Sequence, residues 1–185
     1  MQTLSPILDS FLQLIHTDSL PHLGPEVRPE ATNAQKIEKS VSDFCSSHQL
    51  GPMQTQLLKS AALLWHDDLE GSHTISQDIK SSDGSFLHGI MHRREPDSSN
   101  AKYWFRLVGD HTAFPSIAAA VDSYAQDNGI ENLTSNLVNS GDWDPFAFVD
   151  ACSRALRGDR KAESYATLQQ IQAIEFRELV SEILR

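Results

Sequence analysis

Cysteine is scarce in this 185-residue chain: only Cys45 and Cys152 occur, with no CxxC pair. Nothing in their spacing supports a disulfide framework. Each sits in an apolar, helix-like context, which predicts two buried thiols in a reducing compartment. Positive charge is also short. Lys and Arg number 15 against 25 Asp and Glu, for a net charge of −10 with histidines neutral. A surface that acidic repels phosphate backbones and anionic lipid, so the expected partners include neither nucleic acid nor a membrane. No apolar run approaches the length of a bilayer span, and the start Met1-Gln-Thr-Leu-Ser-Pro lacks the basic region and apolar core of a secretory signal. The expected location is cytoplasmic. Convincing β-alternation is missing, as are hairpin dipeptides between alternating runs. So are a nucleophile elbow, a P-loop, a dinucleotide fingerprint, internal repeats and low-complexity tracts.

Helical periodicity is what remains. Leu4, Ile7, Leu8, Phe11, Leu12 and Ile15 form a first stripe. Residues 17–32 hold three prolines and a glycine and read as an irregular, mobile loop. A helix from Asn33 to Cys45 follows. Gly51-Pro52 then opens a longer one, with Leu58, Ala62, Trp65 and Leu69 inward. Asp83-Gly84-Ser85 reads as a turn with Ser85 as N-cap, launching a helix over Phe86 to Arg94 that Pro96 ends. Further helices are expected from Asp97 to Gly109, from Pro115 to Ala125, from Asp144-Pro145 to Gly158 and from about Asp159 to Arg185. The fold class is all-α: one compact domain over residues 1–185, a bundle of about seven or eight helices.

Five of the eight histidines fall between His66 and His111. His66, Glu70 and His73 are spaced 0, +4 and +7, on one side of a helix. His88 and His92 are spaced 0 and +4 on the next, with Glu95 at +7. A short connection favours a hairpin, and counting outward from its turn sets His73 level with a point between His88 and His92. Imidazole and carboxylate are ligands for zinc or iron, and HxxxH lets two imidazoles hold one ion. The metal candidates are therefore His66, Glu70, His73, His88 and His92. In a metal-free alternative a histidine acts as general acid or base oriented by Glu70 or Glu95, so His73, His88 and Glu70 are the catalytic candidates. Arg93, Asn100 and Tyr103 are the candidates for orienting a small, anionic substrate; Trp104 could wall its pocket. Asp110-His111 completes the site or merely caps the next helix.

The block His88-Gly-Ile-Met-His92-Arg-Arg-Glu-Pro-Asp97-Ser-Ser-Asn100-Ala-Lys-Tyr-Trp104, preceded by Trp65-His66-Asp67, resembles one in a family of small microbial proteins of unassigned function. Counted from Trp65 to His111, it covers about a quarter of the chain. The resemblance implies no activity, cofactor or fold. Two functional classes follow from the residues. One is a small helical enzyme or ligand-binding protein, working with a divalent metal or by histidine acid/base chemistry. The other is an interaction module whose histidines form a structural polar network and whose acidic surface and C-terminal helix serve a partner or a homodimer.

Overall fold

The computed structural model describes residues 6–160 and 162–185. Among them the elements run α1 (Pro6–Leu14), α2 (Ala34–Ser47), α3 (Pro52–Trp65), α4 (Leu69–Ser76), α5 (Ser82–Arg94), α6 (Ser98–Val108), α7 (Phe114–Asn128), α8 (Glu131–Thr134), β1 (Val138–Asn139), β2 (Asp142–Trp143), α9 (Pro145–Arg157) and α10 (Glu163–Ile183). The chain is all-α apart from one small hairpin. Its buried apolar residues form one continuous cluster with members from α1 to α10. Leu4, expected at the head of the first stripe, lies outside the described residues. No described helix is long and apolar enough to cross a membrane.

Ten described helices replace the expected seven or eight, for two reasons. The short α8 carries too few residues to show a period. More importantly, the long helix expected from Pro52 through His73 breaks after Trp65. Asp68 N–H bonds to Leu63 O at 3.0 Å and Asp67 N–H to Leu64 O at 3.3 Å, with Asp67 left-handed between them at φ +65°. That is the Schellman termination, with aspartate in the position glycine usually takes. Asp68 then caps α4 by accepting the Gly71 N–H at 2.9 Å. A Cβ on Gly71 would lie 2.5 Å from the Asp68 carboxylate, so this cap requires glycine. Hydrophobic spacing misses the break because Leu69 continues the buried stripe beyond it.

A left-handed, non-glycine residue carries roughly 1–2 kcal/mol of backbone strain. Here it is offset by what the carboxylate receives. Asp67 Oδ2 accepts from Arg28 N–H at 3.0 Å and from Arg28 Nε at 2.8 Å; Oδ1 accepts from Arg94 Nη2 at 2.7 Å. All three side chains are buried. Other guanidinium donors go from Arg28 to the Thr17 hydroxyl and the Ser19 and Trp65 carbonyls, and from Arg94 to the Leu64 and Gly24 carbonyls, while Arg94 Nε is buried without a partner among the described residues. The segment 17–32 is therefore irregular, as expected, but pinned rather than mobile. Leu23 is fully buried and donates its N–H to the Tyr165 hydroxyl at 3.2 Å.

Helix α5 runs through the middle of the molecule. Every residue from Gly84 to Arg94 is buried. It starts at Ser82, with Ser81 accepting the Gly84 N–H at 3.1 Å, so Asp83-Gly84-Ser85 is its first turn and not a turn before it. Its closest neighbour is α6. There Gly89 lets the Phe105 ring approach: a Cβ at Gly89 would meet that ring at 3.1 Å. A helix buried all round must find a partner for each polar side chain. Arg94 reaches Asp67. Arg93 turns the other way to Glu175 on α10, at 3.0 and 2.6 Å, with its guanidinium 4.4 Å above the Phe148 ring.

The hairpin serves that second ion pair. Ser140 and Gly141 both have positive φ, 54° and 87°, as a two-residue primed turn requires. The turn sends the chain back so that Trp143 is buried and donates Nε1–H to Glu175 Oε1 at 3.2 Å. The sequence reading missed this hairpin because its strands are too short to alternate.

Asp67→Asn keeps the shape of the side chain but leaves two buried guanidinium groups without a counter-charge. We expect it to lower unfolding free energy by about 3–5 kcal/mol in a urea titration. A loss below about 1 kcal/mol would contradict the role given to this carboxylate.

Candidate metal centre

Helix α4 folds back against α5 and brings three imidazoles together. The His73 ring centroid lies 4.8 Å from that of His88 and 5.5 Å from that of His92; His88 and His92 are 4.7 Å apart. Each of the three offers a ring nitrogen within 4.8 Å of the others. The one-turn spacing of His88 and His92 along α5 aims both at one point, and their Nε2 atoms are 3.0 Å apart.

The far sides of the His88 and His92 rings favour one tautomer for each. His92 Nδ1 lies 2.9 Å from Glu95 Oε2. A carboxylate only accepts, so Nδ1 carries the proton and Nε2 presents its lone pair. His88 Nδ1 lies 3.2 Å from Ser76 Oγ, and that hydroxyl has the His73 carbonyl at 3.4 Å as its own acceptor. Both Nδ1 atoms thus face an oxygen, the outer-shell arrangement that fixes a histidine ligand's tautomer. At a Zn–N distance of about 2.0–2.1 Å, nitrogens 3.0 Å apart subtend roughly 95° at an ion. Opening the pair by about 0.3 Å makes the angle tetrahedral. His88 and His92 fit two positions on a divalent ion, and His73, with a ring nitrogen within 4.8 Å, supplies a third by moving closer, since two nitrogens on one zinc lie at most about 4.2 Å apart.

Surroundings complete the site. The Asn100 amide nitrogen lies 3.0 Å from His92 Nε2. Trp104 stacks on the His88 ring with centroids 3.9 Å apart. His88 is 1% and His92 7% exposed, whereas His73 is half-buried, so the cluster meets solvent on the His73 side. Burial, with His92 and His73 close by, lowers His88 to a pKa of about 3. Burial also lowers His92, although its bond to Glu95 pulls the other way. Both rings are neutral at pH 7, the form that ligates.

Other candidates fall elsewhere. His66 does not join the group. The break after Trp65 makes it the C-cap of α3, where it is buried and its Nδ1 accepts the Thr32 N–H at 3.1 Å. Glu70 is exposed in the first turn of α4 and outside the cluster, although it shares that helix with His73. Arg93 is 2% exposed and its guanidinium is paired with Glu175. With Arg94 also buried, the expected anion-holding pair is spent inside the core. Tyr103 is exposed beside Trp104. His111 accepts the Ala113 N–H at 3.1 Å in the turn ahead of α7 and bonds to Asp83 at 3.0 Å, so it belongs to a different place. Ser76 went unnoticed in sequence. Its signal was position: three residues after His73, it lies one turn further along the same face. Compared with known proteins, the chain matches no family model, no curated protein and no solved structure.

The lowered histidines carry a pH dependence. His88 has a folded pKa of about 3 against an unfolded value near 6.5, so below pH 6.5 only the unfolded chain takes up its proton. Its contribution to stability is complete above pH 6.5 and is lost as pH falls toward 3. In metal-free protein we expect urea midpoints at pH 5.5 below those at pH 7.5, with this one group accounting for about 1 kcal/mol. His88→Gln should flatten that dependence; an equal slope in parent and variant would refute the assignment.

Proposed function

We propose that the chain binds a divalent metal ion on His73, His88 and His92 and acts there as a metal-dependent enzyme on a small molecule. One observation carries the reading: two buried Nε2 atoms stand 3.0 Å apart, each on a ring whose Nδ1 already faces an oxygen. Three imidazoles and no free carboxylate suit zinc better than iron, whose open mononuclear sites usually include a carboxylate ligand. With three protein ligands the fourth position is open, and an ion there supplies Lewis-acid chemistry.

The rest of the work falls to the chain's own groups. Glu95 and Ser76 hold His92 and His88 in the ligating tautomer. Trp104 covers one face of His88 and excludes water from it. Asn100 sets an amide at the edge of the site, suited to orienting a substrate oxygen. The expected anionic substrate loses its support, because both arginines that would hold it are buried in ion pairs.

A metal-free reading rests on a different feature of the same residues. With the His88 proton on Nε2 instead of Nδ1 and the Ser76 hydroxyl donating to that ring, Glu95, His92, His88 and Ser76 form an unbroken hydrogen-bonded row, through which an imidazole could act as general base with Glu95 behind it. The acidic composition supports partners other than nucleic acid. The two thiols are unpaired and buried, with Cys152 pushed up to about 12 by burial, which suits a reducing, cytoplasmic setting.

Tag-free protein should retain near-stoichiometric zinc or take it up after chelation. Zinc at about a hundred times its Kd should stabilise the fold by about 2.7 kcal/mol. His88→Gln and His92→Gln should lose that response while the metal-free proteins stay within about 1 kcal/mol of the parent. A parent blind to metal, with both variants more than about 2 kcal/mol less stable, would mark the cluster as a structural network.

A further inference from the structure

We infer that the site takes a substrate with a flat aromatic group, neutral or cationic, seated on the outer face of α6. This rests on the metal reading above. Asn100, Tyr103, Trp104 and Leu107 are spaced 0, +3, +4 and +7, so they share one face of α6. Asn100 and Trp104 reach the centre directly, at His92 and on the His88 ring. Tyr103 stands edge-on to Trp104, with ring centroids 5.7 Å apart and planes at 84°. Tyr103 is 49% and Leu107 51% exposed, two of only five large apolar side chains left so open among the described residues. Leu107 lies one turn beyond Tyr103, so an apolar shelf leads outward from the three imidazoles. The half-buried Trp104 forms its inner end.

Charge narrows the occupant. Arg93 and Arg94 are buried against Glu175 and Asp67. Lys102 is paired with Asp150 at 2.7 Å. Arg106 lies about 60° around α6 from Tyr103 and about 100° from Leu107, by helix geometry. Glu95 and Asp97 are exposed at the end where the shelf meets the imidazoles. An anion approaching the inner end of this face meets the Glu95 and Asp97 carboxylates first, while Arg106, exposed three residues after Tyr103, stands at its outer flank. A neutral or cationic ring meets an indole, a phenol and favourable charge.

Hydroxamates test this on cobalt(II)-loaded protein, read by the visible bands of the ion. All hydroxamates chelate alike, so differences between them report the shelf. Benzohydroxamate should bind about tenfold more tightly than acetohydroxamate, the scale of one well-packed aromatic contact. 4-Carboxybenzohydroxamate should lose most of that gain. In the Tyr103→Ala/Leu107→Ala double variant, both residues being exposed, the aromatic preference should fall toward unity with acetohydroxamate binding unchanged. Equal binding of the benzoyl and acetyl compounds by the parent, or a preference that survives the double variant, overturns the shelf and leaves the metal centre standing. A protein that takes up no cobalt overturns both.

Discussion

One buried carboxylate holds the architecture in register. Asp67 sits in a left-handed conformation at the junction of α3 and α4, and it is tied to Arg28 in the long loop and to Arg94 on α5. Burial alone would raise its pKa; the bonds from Arg28 and Arg94 outweigh that and hold it below the usual carboxylate range. Three charges in a dry interior are a poor source of net stability, because their desolvation offsets their attraction. Their value is geometric. This placement of the loop, the junction and the central helix satisfies both carboxylate oxygens, and it turns α4 back toward α5 with His73 in reach of His88 and His92.

The central helix explains why this centre is so close to its framework. From His88 to Arg94, four of seven side chains are polar and buried, and each is answered by a different neighbour. His88 faces Ser76 on α4, His92 faces Glu95 at the helix end, Arg93 faces Glu175 on α10 and Arg94 faces Asp67. The imidazoles therefore sit on a backbone locked a single turn away by two ion pairs. A site on such an element is held to tighter tolerances than one built on loops.

How much of this could be read from the chain depends on the kind of signal. The helices that carry a stripe between clear caps, such as α6 from Asp97 to Gly109 and α9 from Asp144 to Gly158, were legible because period and punctuation agree. The meeting of His73 with His88 and His92 followed from spacing and a short turn. What spacing could not show was termination by Asp67, since a left-handed aspartate depends on arginines 39 residues before it and 27 after. The same blindness misplaced His66 by continuing a helix that stops, whereas Glu70 keeps its place on the helix of His73 and is simply exposed. Arg93 looked like a substrate ligand because its partner, Glu175, is 82 residues away and only tertiary packing brings the two together. Ser140-Gly141 carried a real turn signal, but strands of two residues have no period to accompany it.

The two thiols give the molecule a built-in record of how it opens. Cys45 lies in α2, on the flank of α3, and Cys152 in α9, against the Arg93–Glu175 pair at the centre; both are buried. A thiol reagent reaches either only when its surroundings part. If α2 can lift away while the interior stays closed, Cys45 is modified first and the two rates diverge. If the chain opens only as a unit, both are modified at one rate, set by global unfolding. The relative reactivity of two ordinary side chains thus reports whether the periphery and the ion-paired interior are one cooperative unit or two.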